Sequence, residues 1–304
     1  MRIYICAIDY ILYSTYNSTG MEEIRMKYRT FLSVFTLSCM VFFGCRADDP
    51  APTDTSIPSE AVPANIFPLS KGKRFGFSGY LTSGSTETAV AGSDSLQASW
   101  FVVGDTSVAS VFGDSAALHI TPATATLILD SLHEPGFVSP AKLTPVFVYK
   151  DNSSNYYYLT NFGNVFRTYG VSSDTGSAHS VRRDSLNFIK LTPGSAKTGE
   201  SFTVFNKQYK AYPATFGSVE ILLTINIEGK FERKESIAMK LNGKDTTISA
   251  YYLTITSIST LGALPPQSAI NAKFWLAEGI GPVQMFLAGD TEAPGSFRKL
   301  ISLQ

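Results

Sequence analysis

The chain has 304 residues, 44% of them apolar and 16% charged, with a formal net charge of zero. That is enough apolar material for a real core, and the length suggests one or two domains. In the folded part adjacent basic residues occur only as the pairs Lys73-Arg74, Arg182-Arg183, Arg233-Lys234 and Arg298-Lys299, so there is no electrostatic case for nucleic acid, which needs many neutralised phosphates.

Taken in chain order, the first strong signal is an address. Lys27 and Arg29 precede Phe31 to Phe43, an uncharged and mostly apolar stretch of 13 residues, and Gly44-Cys45 follows at once. A basic segment, an apolar run and a small residue before a cut make a secretory signal. The run is too short to be a transmembrane helix, which needs about 20 apolar residues. The Phe-Phe-Gly-Cys ending resembles the lipobox of bacterial lipoproteins, with Phe42 where Leu is commonest. The resemblance implies cleavage before Cys45, lipidation of that cysteine, and anchoring in the bacterial cell envelope, at the outer membrane. An ordinary signal with an incidental cysteine is the alternative. All three cysteines, Cys6, Cys39 and Cys45, lie in these first residues, so cleavage would leave one thiol, at the first mature position.

Residues 1–44 are therefore read as the signal segment, with 1–20 an upstream extension from a misplaced start or else an unusually long n-region. Residues 45–64 carry Pro50, Pro52, Pro58 and Pro63 and read as a lipidated cysteine on a disordered tether. The acidic pair Asp48-Asp49 resembles the surface-export signal of some outer-membrane lipoproteins, which implies surface exposure.

From residue 65 to 304 the signals are those of a β domain. Arg74 to Leu81 and Ala98 to Val103 read as strands. Pro122 opens a segment to Leu132 that fits a short helix or a strand equally well. Thr144 to Lys150 and Tyr156 to Phe162 are strands around a polar loop, followed by Val165 to Gly170 and Ser185 to Leu191. Val219 to Ile227 alternates for nine residues, with Leu222 the exception on its polar face. Gly229 marks a turn, Phe231 to Leu241 is the next strand, and Asn242-Gly243 is a tight-hairpin signal leading into Thr246 to Ser257. Lys273 to Ala277, Pro282 to Leu287 and Phe297 to Leu303 complete the set. About a dozen strands with few short helices predict an antiparallel sandwich or an open barrel. An echo of Pro, polar loop, Gly and alternating strand, at Pro68, Gly72, Phe75 and again at Pro193, Gly199, Phe202, suggests two similar halves, 65–190 and 191–304.

Phe67-Pro68-Leu69 with Gly72, and Trp275-Leu276-Ala277-Glu278-Gly279-Ile280-Gly281-Pro282-Val283, resemble an uncharacterised class of β-rich bacterial lipoproteins, here with Phe75 where Trp is commoner. The resemblance touches both ends of the domain and implies no known activity.

The chemical inventory is sparse. Ser139-Pro140-Ala141-Lys142, Ser153-Ser154-Asn155 and Lys197-Thr198-Gly199 resemble the active-site elements of penicillin-binding proteins and serine β-lactamases, but no helical pattern follows Pro140 and the gaps are too short for that fold. His119, His133 and His179 lack second ligands at metal spacing, so no metal, cofactor or catalytic residue is assigned. Tyr156 and Tyr158, on one face of a strand, with Phe166 and Tyr169, are candidate ligand residues for an apolar or carbohydrate ligand; cross-strand packing is the competing account. The reading is a cell-envelope lipoprotein, anchored in the membrane by lipid, with a non-catalytic binding or structural β domain. A carrier or sensor holding an apolar ligand in a half-open barrel, and an envelope hydrolase with carboxylates placed by the fold, stand as alternatives.

Overall fold

The computed structural model describes residues 59–304 apart from 84–85, 109–123, 134–141, 163–165, 167–169, 172–185, 214–218 and 290–293. Every complete element among them is a strand: β1 (Ala61–Val62), β2 (Arg74–Thr82), β3 (Leu96–Ser107), β4 (Thr124–His133), β5 (Lys142–Lys150), β6 (Tyr156–Asn161), β7 (Leu186–Thr192), β8 (Ala196–Lys197), β9 (Ser201–Ala211), β10 (Ile221–Leu241), β11 (Lys244–Leu261), β12 (Gln267–Ala277), β13 (Gly281–Leu287) and β14 (Gly295–Leu303). β1 pairs with β8, and the other 12 form one sheet in the order β7-β6-β5-β4-β3-β2-β14-β13-β12-β11-β10-β9. β1 falls within the stretch read from sequence as tether.

Within the 12-stranded sheet each antiparallel pairing joins strands adjacent in the chain, except where β2 meets β14 and joins the first long strand to the last. The sheet curls until its edge strands, β7 and β9, lie against each other. No ladder joins them. The segment after β6 fills the seam instead: Phe162 packs on Phe205 at 4.8 Å and Phe166 on Tyr209 at 4.5 Å, while Val171 bridges to Ala211. The result is a nearly closed antiparallel barrel, the mainly β class that the strand count predicts.

Period-two alternation sets the wall. Leu96, Ala98, Trp100 and Val102 on β3 are buried, as are Leu223, Ile225 and Ile227 on β10 and Leu253 and Ile255 on β11. Phe75, Phe77 and Trp100 meet at 5.6 to 6.3 Å inside the barrel. Such aromatic pairs contribute about 0.5–1.5 kcal/mol each beyond their buried area. Of the segment from Pro122 to Leu132, ambiguous in sequence, the described part from Thr124 onward is strand β4, because it pairs with both β3 and β5.

Gly229 is a correction. It lies inside β10, not at a turn, and pairs with Phe202 of β9. A Cβ at Gly229 would stand 2.3 Å from Cζ of Phe202, so the missing side chain makes room for that ring across the strands. Asn242-Gly243 does form the expected hairpin, with φ of 51° and 79° and Leu241 opposite Lys244. The two Pro-loop-Gly segments end in the same turn. Lys73 N–H donates to Ser70 O at 3.1 Å and Glu200 N–H to Lys197 O at 3.2 Å. Gly72 and Gly199 both have φ of +86°, and each donates to a carbonyl on the strand after the one it leads into, Val102 on β3 and Phe231 on β10.

β10 and β11 run beyond the last β11–β12 pair, Tyr251 with Leu276. Past a bulge at Glu232 this arm folds over the outer wall of β12 to β14. Trp275 donates its indole N–H to Glu235, and Lys299 donates to Ala238 O at 2.9 Å. At the tip Asn242 bonds to Ile301 O through its N–H, and to both N–H and C=O of Leu303 through its side chain. Ile237 and Met239 of the arm are buried, and most of β13 is buried along its length.

Candidate functional site: the two ends of the barrel and its buried charge pair

The strand directions give the barrel two ends. Arg74, Ser107, Lys150, Ser201 and Ala277 mark one; Thr82, His133, Lys142, Ala211 and Gln267 mark the other. The described chain enters at the first. Val62 pairs with Ala196, Gly279 N–H donates to Asn65 O at 3.0 Å, and Ile66 and Phe67 are buried. The Phe67 ring lies 6.2 Å from Trp100 and 5.9 Å from Tyr156. Glu60 binds Lys234 Nζ and accepts from the Tyr251 hydroxyl at 3.1 Å. Its carboxyl is held below the usual range, chiefly by the Lys234 hydrogen bond.

The opposite end carries apolar side chains in water. Of the seven exposed large hydrophobics among the described residues, Val90, Leu143, Val219, Leu222, Leu264 and Ile270 lie toward it and Ile301 does not. Val219, Leu222 and Leu264 share one corner, where Gly262 N–H donates to Leu222 O at 2.8 Å. Leu222, the exception in the sequence pattern of β10, points outward here and is 47% exposed.

Inside the barrel Arg298 of β14 reaches Asp130 of β4. Its Nη1 lies 2.9 and 3.2 Å from the two carboxylate oxygens, and its Nε donates to Ser296 Oγ at 3.2 Å. Arg298 faces Gly79 on β2, and Asp130 faces Trp100 on β3. A Cβ at Gly79 would stand 1.8 Å from Phe297 O, so β2 and β14 are in close backbone contact there. Buried guanidinium and carboxylate satisfy each other, which is what makes burial of either tolerable.

On the outer wall four half-buried rings run across the strands: Tyr252 on Trp275 at 4.7 Å and 22°, Trp275 on Phe297 at 6.2 Å and 71°, and Phe297 on Tyr80 at 5.2 Å and 15°. Near-parallel rings one strand spacing apart turn their faces to one another and their edges to water. Arg233 lies 4.7 Å from the Tyr252 ring.

The candidates named from sequence lie elsewhere. Tyr156 and Tyr158 do share one face, but it is the interior: they are 2% and 1% exposed. Burial holds the Tyr158 phenol far above its usual pKa, outweighing the Thr160 side chain, which lowers it. Phe166 plugs the seam against Tyr209. Tyr169 and Cys45 lie outside the described residues, as do Ser139, His119 and His179. Lys142 begins β5 at the far end, whereas Ser153 and Lys197 to Gly199 sit at the tether-side end, so the serine-lysine motifs are not brought together. Asp151 closes its own loop. Burial pushes its carboxyl up, but bonds from the side chain and N–H of Asn155, the N–H of Ser153 and the Tyr157 hydroxyl outweigh this and hold it low. Among the described residues no group of three His, Cys, Asp or Glu could hold a metal, and no helix is long and apolar enough to cross a membrane.

Sequence periodicity could not find the apolar corner, since it is made by two turns distant in the chain. Its only trace was Leu222.

No family profile matches the chain, and no curated protein matches it. Two solved structures are similar in fold. One is a "putative lipoprotein" from Parabacteroides distasonis, 11% identical, covering 80% of this chain and 100% of its own, with a TM-score of 0.40. The other is a "putative exported protein with YmcC-like fold" from Bacteroides fragilis, 9% identical, covering 78% of this chain and 98% of its own, with a TM-score of 0.34.

Proposed function

We propose that the protein is a cell-envelope lipoprotein, cleaved and lipidated at Cys45, whose β barrel works by binding. The barrel end opposite the tether presents its apolar corner to an apolar surface on another envelope protein. The observation that carries this is the polarity of the barrel: the described chain enters at one end, and six of the seven exposed large hydrophobics among the described residues lie toward the other. Apolar side chains grouped at one end of a folded domain are what an interaction site offers. The signal segment and Gly44-Cys45 support the anchor.

Crosslinking of the intact, membrane-bound protein tests the reading. Photo-crosslinkers at Leu222 and Leu264 are expected to trap a partner that crosslinkers at exposed tether-side positions such as Lys197 do not. Equal capture at both ends, or none at the far end, would remove it.

A further inference from the structure

We infer that residues 60–67 form a detachable plug, which leaves the tether-side mouth of the barrel as a unit while the barrel stays folded and so gates the aromatic interior around Trp100. This inference stands apart from the partner reading above.

The plug is built unlike the wall. Its apolar hold is two adjacent side chains, Ile66 and Phe67, with Val62 beside them. Its backbone hold is the two-residue pairing of β1 with β8, the Gly279 N–H to Asn65 O bond, and a reciprocal pair in which Thr198 N–H donates to Glu60 O while Glu60 N–H donates to Thr198 Oγ. Its outer latch is Glu60 against Lys234 and Tyr251, where Glu60 and Lys234 are exposed. Every barrel strand, by contrast, is held along most of its length by one or two ladders. Segments with few buried contacts and water-accessible hydrogen bonds open below the global unfolding limit.

What lies behind the plug gives the opening a consequence. Phe67 covers Trp100 and Tyr156, and Pro68 sits beside Gly281, where a Cβ would be 3.6 Å from its ring. The Trp100 indole N–H is buried with no partner among the described residues. Removing Phe67 bares the aromatic surface of Trp100 and Tyr156 to whatever apolar molecule reaches the mouth. The plug also joins the tether to the β10–β11 arm through Lys234 and Tyr251, so a displaced tether releases both.

Native-state hydrogen exchange on the full chain tests this. The amides of Glu60, Thr198 and Gly279 are expected to exchange as a set, about tenfold or more faster than the amides of β3 and β4. Glu60→Gln, an exposed change that leaves the core intact, is expected to speed that set alone. Exchange of the set at the β3–β4 rate, or a Glu60→Gln effect spread evenly over the barrel, would overturn the inference. In a Trp275→Phe background, where Trp100 is the sole tryptophan, acrylamide quenching is expected to rise on Phe67→Ala. A folded Phe67→Ala protein with unchanged quenching would also overturn it.

Discussion

Arg298 and Asp130 are far apart in sequence and three strands apart in the sheet, yet the guanidinium Nη1 lies 2.9 Å from the carboxylate inside the barrel, with both side chains 6% exposed. The pair ties β14 to β4 across the β2–β14 junction, the one place where strands distant in the chain close the sheet. Breaking such a pair from one side strands a buried charge. Asp130→Ala is expected to destabilise by about 3–5 kcal/mol, whereas replacing both partners with apolar residues of similar volume is expected to be near neutral. Urea denaturation of the single and double variants checks this, and equal losses in both would show that the pair itself carries the stability.

Gly79 faces Arg298 at the same junction. Its side-chain position is filled by backbone, with Phe297 O at 1.8 Å from an ideal Cβ. Gly79→Ala is expected to cost about 3 kcal/mol, the upper end for overpacking, because no rotamer change can relieve a clash with a strand. A melt within error of the parent would mean β2 and β14 can part there.

The Tyr158 hydroxyl is buried beside the Thr160 side chain and makes no well-formed hydrogen bond to it. An unmade buried hydrogen bond is a cost of about 1–3 kcal/mol that a phenyl ring of the same shape avoids. Tyr158→Phe is expected to leave stability equal or raise it by about 1 kcal/mol. A clear loss in urea denaturation would reveal a bonded hydroxyl.

Plug docking should depend on pH in a definite direction. Glu60 has its pKa lowered from 4.5, first by the Lys234 hydrogen bond. A depressed carboxyl stabilises above its unfolded value, and that contribution is lost as pH falls through the folded one. Lys234 has its pKa raised from 10.5, first by the bond to Glu60, so its contribution is complete below that value and lost as pH rises beyond it. Between the two values the latch is closed. Hydrogen exchange at Gly279, corrected for intrinsic rate, is expected to quicken as pH drops below 4.5 in the parent but not in Glu60→Gln; the same acid response in both would exclude this latch.

Cys45→Ala is expected to abolish acylation and release the protein from the membrane fraction. Intact mass of the parent should correspond to cleavage before Cys45 plus acyl chains. An unacylated parent would end the lipoprotein reading.

Local sequence carried the strands well. Alternation along Val219 to Ile227 placed Leu223, Ile225 and Ile227 inward, and the Asn242-Gly243 pair set its hairpin, because a side-chain period of two and a requirement for positive φ are properties of neighbours in the chain. The same local logic misread Gly229, which is glycine on account of Phe202 on another strand. It identified Tyr156 and Tyr158 as one face but had no means to say that this face was the interior.

Burial sense, closure and ends are decided only when strands meet. Alternation says that one face is apolar; the curl of the sheet, with β2 on β14 and the aromatic seam at β7 and β9, decides that this face encloses a core. Composition and spacing determined the β class, and the proposed signal and anchor at Cys45 rest on sequence pattern alone. Tertiary structure alone brought Arg298 to Asp130, Phe67 over Trp100 and Leu222 to the turn that carries Leu264, since each juxtaposition spans a distance in the chain over which sequence pattern has no period to read.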